Sequence, residues 1–254
     1  FTPKDGFEQV LNVRYGLKPR HRLDIYRSTK RLAHQPLIVF VHGGAWQHGN
    51  KRDYLFVGEA FAKEGYDVAV INYQLAPKNI FPSYVEDLTQ ALNYLHQNQE
   101  KLEISTENTV LMGHSAGAFN VMSAVYHPDS TKIECLGKIK AIVGLAGPYH
   151  FDYKGDPLAE DAFDQDISYK EVMPYYFVNQ NNIKHYLLMA ENDQIVKQHN
   201  TLDMDQALRA KGNHSHIAII PKTGHITILA SLSSFVSHYF KTKRTILHFL
   251  DEVF

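Results

Sequence analysis

Short apolar runs and longer amphipathic stretches take turns along most of the chain. The apolar runs fall at Pro36–Gly44, Tyr66–Pro77, Thr109–Gly113, Lys138–Gly147, Lys184–Asp193 and Ser215–His225. Within them apolar residues follow one another instead of alternating, which predicts strands buried on both faces. Between them, apolar positions recur at helical spacing over Leu55–Glu64, Pro82–Asn98, Ala116–His127, Asn200–Lys211, Ile226–Phe240 and Thr245–Phe254. Strands alternating with helices predict an α/β protein with a mostly parallel sheet covered on both sides. Gln9–Tyr15 and His21–Tyr26, joined by GLKPR, predict an antiparallel hairpin at one edge.

One segment breaks the rhythm. Pro148–Asn182 is polar and irregular but carries eight tyrosines and phenylalanines. A connection of that length inside a compact domain is functional or disordered, and its aromatics argue against disorder. The expectation is a single domain over 1–254 with a small cap inserted at 148–182.

Composition narrows the partners. With 254 residues, a net charge of −1 and 21% charged residues, the chain has no basic excess for nucleic acid. No apolar run is long enough to span a membrane. The single cysteine, Cys135, excludes an internal disulfide. The chain starts at Phe1, which suggests a trimmed start; a cytoplasmic location is expected. Oligomeric state is not legible here.

The chemistry begins at Gly113-His114-Ser115-Ala116-Gly117, at the seam between an apolar run and a helical pattern. This is the G-x-S-x-G nucleophile elbow, in which a tight strand-to-helix turn lifts the serine hydroxyl out of the sheet. Residues two before and two after the serine pack together, so both must be small. The N–H of Ala116, opening the helix, is free to meet developing negative charge. Upstream, VFVHGGAW ends a strand with Gly43 and Gly44, whose backbone can approach a substrate closely with N–H groups inward. Gly43, Gly44 and Ala116 are therefore the expected oxyanion donors.

Serine needs a base. Of 15 histidines, His225 lies just past the last predicted strand, at the end of a parallel sheet where sites form. Asp193 closes the preceding strand and is the expected partner of the imidazole, with Glu191, Asp203 and Asp205 as competitors. The order Ser115, Asp193, His225 is that of α/β-hydrolases and not of the other serine-triad folds. Trp46, His114 and Tyr149 are expected to border the substrate pocket. Neither H-E-x-x-H nor G-x-G-x-x-G is present, so no metal and no dinucleotide cofactor is expected.

Together HGGAW, INYQLAP, GHSAG, ENDQIV, TGH and the early LDIY make the chain resemble α/β-hydrolase carboxylesterases, close to the hormone-sensitive-lipase-like and kynurenine-formamidase-like groups. That resemblance implies an eight-stranded sheet, a Ser-His-Asp triad, no cofactor and a variable cap that sets substrate range. It departs at two places. Ala45 stands where many lipase-like relatives have a third glycine, which puts activity on tertiary-alcohol esters in doubt, and Gln74 stands where arginine is common. The expected function is hydrolysis of small acyl or aryl esters. An arylformamidase acting on formamides is the alternative, and a non-catalytic binding module on the same scaffold is a third.

Overall fold

A computed structural model describes residues 4–128 and 132–254; the ends of the expected domain at 1–3 and its residues 129–131 lie outside the described residues. Eight strands form one sheet in the order β1-β2-β4-β3-β5-β6-β7-β8. They are β1 (Phe7–Arg14), β2 (Arg22–Ser28), β3 (Leu37–Val41), β4 (Asp67–Ile71), β5 (Thr109–His114), β6 (Ile139–Leu145), β7 (Lys184–Ala190) and β8 (Ser215–Ile220). β1 and β2 pair antiparallel, as β2 does with β4, and all later pairings are parallel. The helices are α1 (Leu55–Ala62), α2 (Ser83–Gln97), α3 (Ala116–Tyr126), α4 (His199–Ala210), α5 (Thr227–Ala230) and α6 (Thr242–Asp251).

Five of the six apolar runs become central strands, β3 to β7, because helices cover the sheet on both faces. The sixth becomes β8 at the sheet edge, where Ile219 is 56% exposed, so the expected burial on both faces fails there. Along β3, Leu37, Val39 and Val41 pack into one core with α2, α3 and α4, through residues such as Leu88, Phe119 and Met204. Ile38 and Phe40 point the other way, toward α1 and α6, through Val57, Phe61, Ile246 and Phe249. Successive side chains thus feed two cores, and burying each large one contributes roughly 1.5–3 kcal/mol.

The expected helix over Ile226–Phe240 is not formed. α5 ends after Ala230, and only a 3-10 turn at Ser237–Tyr239 follows. The hydroxyl of Ser231 donates to Ile228 O at 2.7 Å and meets Thr242 Oγ1 at 2.6 Å. Serine bonding of this kind competes with the helical ladder, and Phe235, inside the expected helix, is 56% exposed.

Between β6 and β7 the chain forms no strand, only 3-10 turns at Glu160–Ala162, Tyr169–Glu171 and Pro174–Phe177. Aromatic packing orders it. Phe163 stacks on Tyr153 at 4.5 Å and meets Trp46 edge-on at 4.9 Å, and Tyr84 of α2 donates to Ala162 O at 3.0 Å.

Candidate active site

The site lies at the carboxyl ends of the parallel strands. Ser115 joins β5 to α3 with φ 53° and ψ −123°, backbone that costs a non-glycine residue about 1–3 kcal/mol. Two contacts hold it there. Ser115 N donates to Leu145 O at 2.9 Å, and the turn is closed by glycines that admit no side chain. A Cβ on Gly113 would lie 2.4 Å from Gly117 O, and one on Gly117 would lie 2.0 Å from Val41 O. The two glycines pack against each other and against the end of β3, for the reason the pentapeptide suggests.

His225 lies in the loop after β8, and Asp193 in the loop after β7. The two loops are joined where Asn192 N donates to Thr223 O at 2.9 Å. His225 Nε2 is 2.8 Å from Ser115 Oγ, and Nδ1 is 2.8 Å from Asp193 Oδ2. The other carboxylate oxygen accepts from Ile195 N and Val196 N, each at 2.9 Å. Burial works against ionisation of Asp193, but the bonds from His225, Val196 and Ile195 outweigh it and hold the carboxyl below its ordinary range. Its competitors are engaged elsewhere: Glu191 accepts from Lys222 N, Asp203 pairs with His150, and Asp205 with Arg209.

The His42–Gly43–Gly44 turn passes beside the serine, so close that a Cβ on Gly43 would stand 3.0 Å from Ser115 Cβ. Ala116 is the first residue of α3, where an N–H has no partner in the helical ladder. His42 is fully buried, stacked between Tyr54 and Tyr73 at 5.4 and 4.5 Å, and burial pushes its pKa down to about 4.

A cleft of about 120 Å³ opens at Ser115, lined by Ala45, Trp46, Pro148, Leu158, Ala159 and Val196, with Asp156, Lys197, His199 and Asn200 as its polar members. A larger concavity of about 720 Å³ lies elsewhere, along α6 beside Glu64, Lys243 and Asp251, and contains none of these residues. Trp46 borders the cleft as expected from the sequence, with its indole N–H donating to Asn120 Oδ1 at 3.0 Å. His114 and Tyr149 do not border it, and those two expectations are corrected. His114 ends β5 with its side chain turned inward, and its Nε2 donates to His225 O at 2.8 Å. Burial, then the nearby His225, push its pKa down to about 4, so it is neutral near pH 7. Tyr149 is wholly buried against Gly144 and Gly147 and does not line the cleft. The polar lining of the cleft is not foreseeable from the sequence, since Lys197, His199 and Asn200 carry no motif and reach it only through the fold. Among the described residues, no cluster of three or more His, Cys, Asp and Glu could hold a metal, and no helix is long and apolar enough to cross a membrane.

This geometry has parallels among known proteins. The chain is similar to the kynurenine formamidase of Drosophila melanogaster, 26% identical over 239 residues that span 90% of this chain and 78% of that protein. It is also similar to the probable isoprenylcysteine alpha-carbonyl methylesterase ICMEL1 of Oryza sativa subsp. japonica, 32% identical over 146 residues. That match takes in 55% of this chain and only 34% of the rice protein's length. Among solved structures, a truncated carbohydrate esterase from gut microbiota superimposes with a TM-score of 0.81 at 17% identity, covering 99% of this chain and 98% of that one. Thermogutta terrifontis esterase 2 phosphorylated by paraoxon gives 0.74 at 18% identity, covering 99% and 95%. These likenesses establish the α/β-hydrolase fold. The model of the BD-FAE family matches residues 23–208, from β2 through the elbow and Asp193 into α4, and the chain belongs to that family.

Proposed function

We propose that the chain is a serine carboxylesterase that cleaves esters with a small acyl or aryl group through an acyl-enzyme on Ser115. The observation that carries this is the unbroken hydrogen-bonded line from Ser115 Oγ through His225 to Asp193, at 2.8 and 2.8 Å, under an open cleft. Ser115 Oγ attacks the ester carbonyl while His225 Nε2 takes its proton, and Asp193 stabilises the imidazolium. The N–H groups of Gly43, Gly44 and Ala116 receive the oxyanion, each donor lowering the barrier by about 3–4 kcal/mol. His225 then protonates the leaving alcohol, and water discharges the acyl group by the reverse steps. Neutral His114 beneath the ring adds no opposing charge.

The size of the acyl group follows from the cleft. Its volume of about 120 Å³ is small beside the roughly 300–1,000 Å³ of pockets that take drug-sized ligands. Trp46, Pro148, Leu158 and Ala159 give it an apolar wall suited to a short chain or a ring. The segment over 148–182 acts as the cap, supplying Pro148, Phe151, Asp156, Leu158 and Ala159 to that wall.

One observation favours a second reading, arylformamidase: the likeness to kynurenine formamidase runs along 90% of the chain, against 55% for the rice methylesterase. A formamide passes through the same tetrahedral oxyanion, so the machinery serves both. Measuring kcat/KM for p-nitrophenyl acetate and N-formylkynurenine side by side separates them. The esterase reading predicts the higher value for the acetate, and a large excess for the formamide overturns it. Labelling by a fluorophosphonate excludes the non-catalytic binding module; folded protein that stays unlabelled supports it.

A further inference from the structure

The loop from His42 to Asn50 carries Gly43 and Gly44, and four of its residues lie in left-handed backbone. They are Gly44 (φ 120°), Ala45 (51°), Trp46 (59°) and Gly49 (101°). Such backbone persists only where its surroundings over-determine it, and here a contact comes from outside the site. Arg20, in the turn between β1 and β2, donates from Nε to Tyr73 O at 2.6 Å and from Nη2 to Gly49 O at 2.8 Å.

Both acceptors flank His42. The Tyr73 ring stacks on the imidazole at 4.5 Å, and its hydroxyl donates to His42 O at 2.8 Å. Gly49 presses on the other edge, where a Cβ would lie 2.4 Å from His42 Nδ1. His42 Nδ1 in turn donates to Gly43 O at 2.7 Å. One guanidinium thus closes a continuous set of contacts that ends on the turn beside Ser115.

We infer that Arg20 is a positioning residue of the acyl-transfer site, aiming the Gly43 and Gly44 amides by bridging the carbonyls of Gly49 and Tyr73 around His42. The inference rests on the oxyanion-hole reading above. Two donors at fixed separation on a planar fork match two carbonyls, and a lysine ammonium, a single point charge, does not. Because Arg20 comes from a half-exposed turn at the sheet edge, its loss opens no core cavity. The cost falls on the loop, and a misplacement of about 1 Å there is worth up to about a hundredfold in rate.

The test compares Arg20→Ala, Arg20→Lys and Ser115→Ala with wild type on p-nitrophenyl acetate, with thermal unfolding followed in parallel. Arg20→Ala is expected to lower kcat by about 10- to 100-fold with KM little changed and Tm nearly preserved. Millimolar guanidinium chloride should restore part of that kcat, and should restore nothing to Ser115→Ala. Arg20→Lys, keeping the charge but not the fork, should fall between wild type and Arg20→Ala. A wild-type kcat in Arg20→Ala overturns the inference. So does a loss that follows Tm and is not restored by guanidinium, which makes Arg20 a structural prop. Either result, with Ser115→Ala inactive, leaves the acyl-transfer reading standing; an active Ser115→Ala sinks that reading itself.

Discussion

Replacing Asp193 by asparagine reverses one proton and leaves the packing intact. Asp193 Oδ1 accepts from both Ile195 N and Val196 N, while Oδ2 faces His225 Nδ1. Two backbone donors fix the amide oxygen of an asparagine at the Oδ1 place, so its NH2 group takes the Oδ2 place. That group donates to Nδ1, which drives the ring proton to Nε2. The imidazole then donates to Ser115 Oγ, 2.8 Å away, and cannot accept its proton. A wrong tautomer in this kind of triad lowers kcat by about 10⁴-fold, or about 5.5 kcal/mol of barrier. The assay is steady-state turnover of p-nitrophenyl acetate near neutral pH, with proton NMR following the downfield Nδ1–H resonance of His225. The expected result is the full loss of rate and disappearance of that resonance in protein that stays folded, its Tm lowered only by the stability that ionised Asp193 supplies. A loss under about tenfold, no more than one ordinary hydrogen bond is worth, refutes the role assigned to Asp193.

Three further outcomes follow from the same geometry. Gly117→Ala places a methyl group 2.0 Å from Val41 O, a backbone atom that cannot swing aside; urea unfolding should show a loss of about 3 kcal/mol or more, and an unchanged midpoint contradicts the tight elbow. The folded pKa of Asp193 is depressed, so its contribution to stability is present above the unfolded carboxylate pKa of about 3.9 and fades as pH falls through the lower folded value. The stability gap between wild type and Asp193→Asn should therefore stay level above about pH 5 and narrow as pH falls below about 3.9, and a gap constant through that range contradicts it. Lys51 and Asp24 form a buried pair at 2.6 Å, joined by Asn12 Oδ1 at 2.8 Å. Asp24→Asn should cost about 3–5 kcal/mol by stranding the ammonium, and Asp24→Leu with Lys51→Met should recover most of it; equal losses in both would contradict the pairing.

Much of this was written locally in the chain. β3 to β7 are legible because both faces are covered, so their residues are apolar without alternation, and the elbow is legible because its turn admits only glycine at 113 and 117. What the sequence hid depends on direction and distance. His114 and Tyr149 are close in sequence to the elbow and to the end of β6, but the pleat turns one inward under His225 and packing buries the other. Residues 226–240 have the apolar spacing of a helix, but only Thr227–Ala230 forms one, and Phe235 and Tyr239 beyond it are exposed. Arg20 reads as an ordinary turn residue in GLKPR, and its hold on Gly49 and Tyr73 exists only once β1 and β2 lie beside β4.

The most direct measurement is peptide mass spectrometry after incubation with a p-nitrophenyl phosphonate, on wild type and His225→Ala. A single adduct on Ser115 in wild type, strongly suppressed in the histidine variant, is the predicted result. An adduct on another residue, or none on protein that is fully folded, contradicts the assignment of Ser115 as nucleophile.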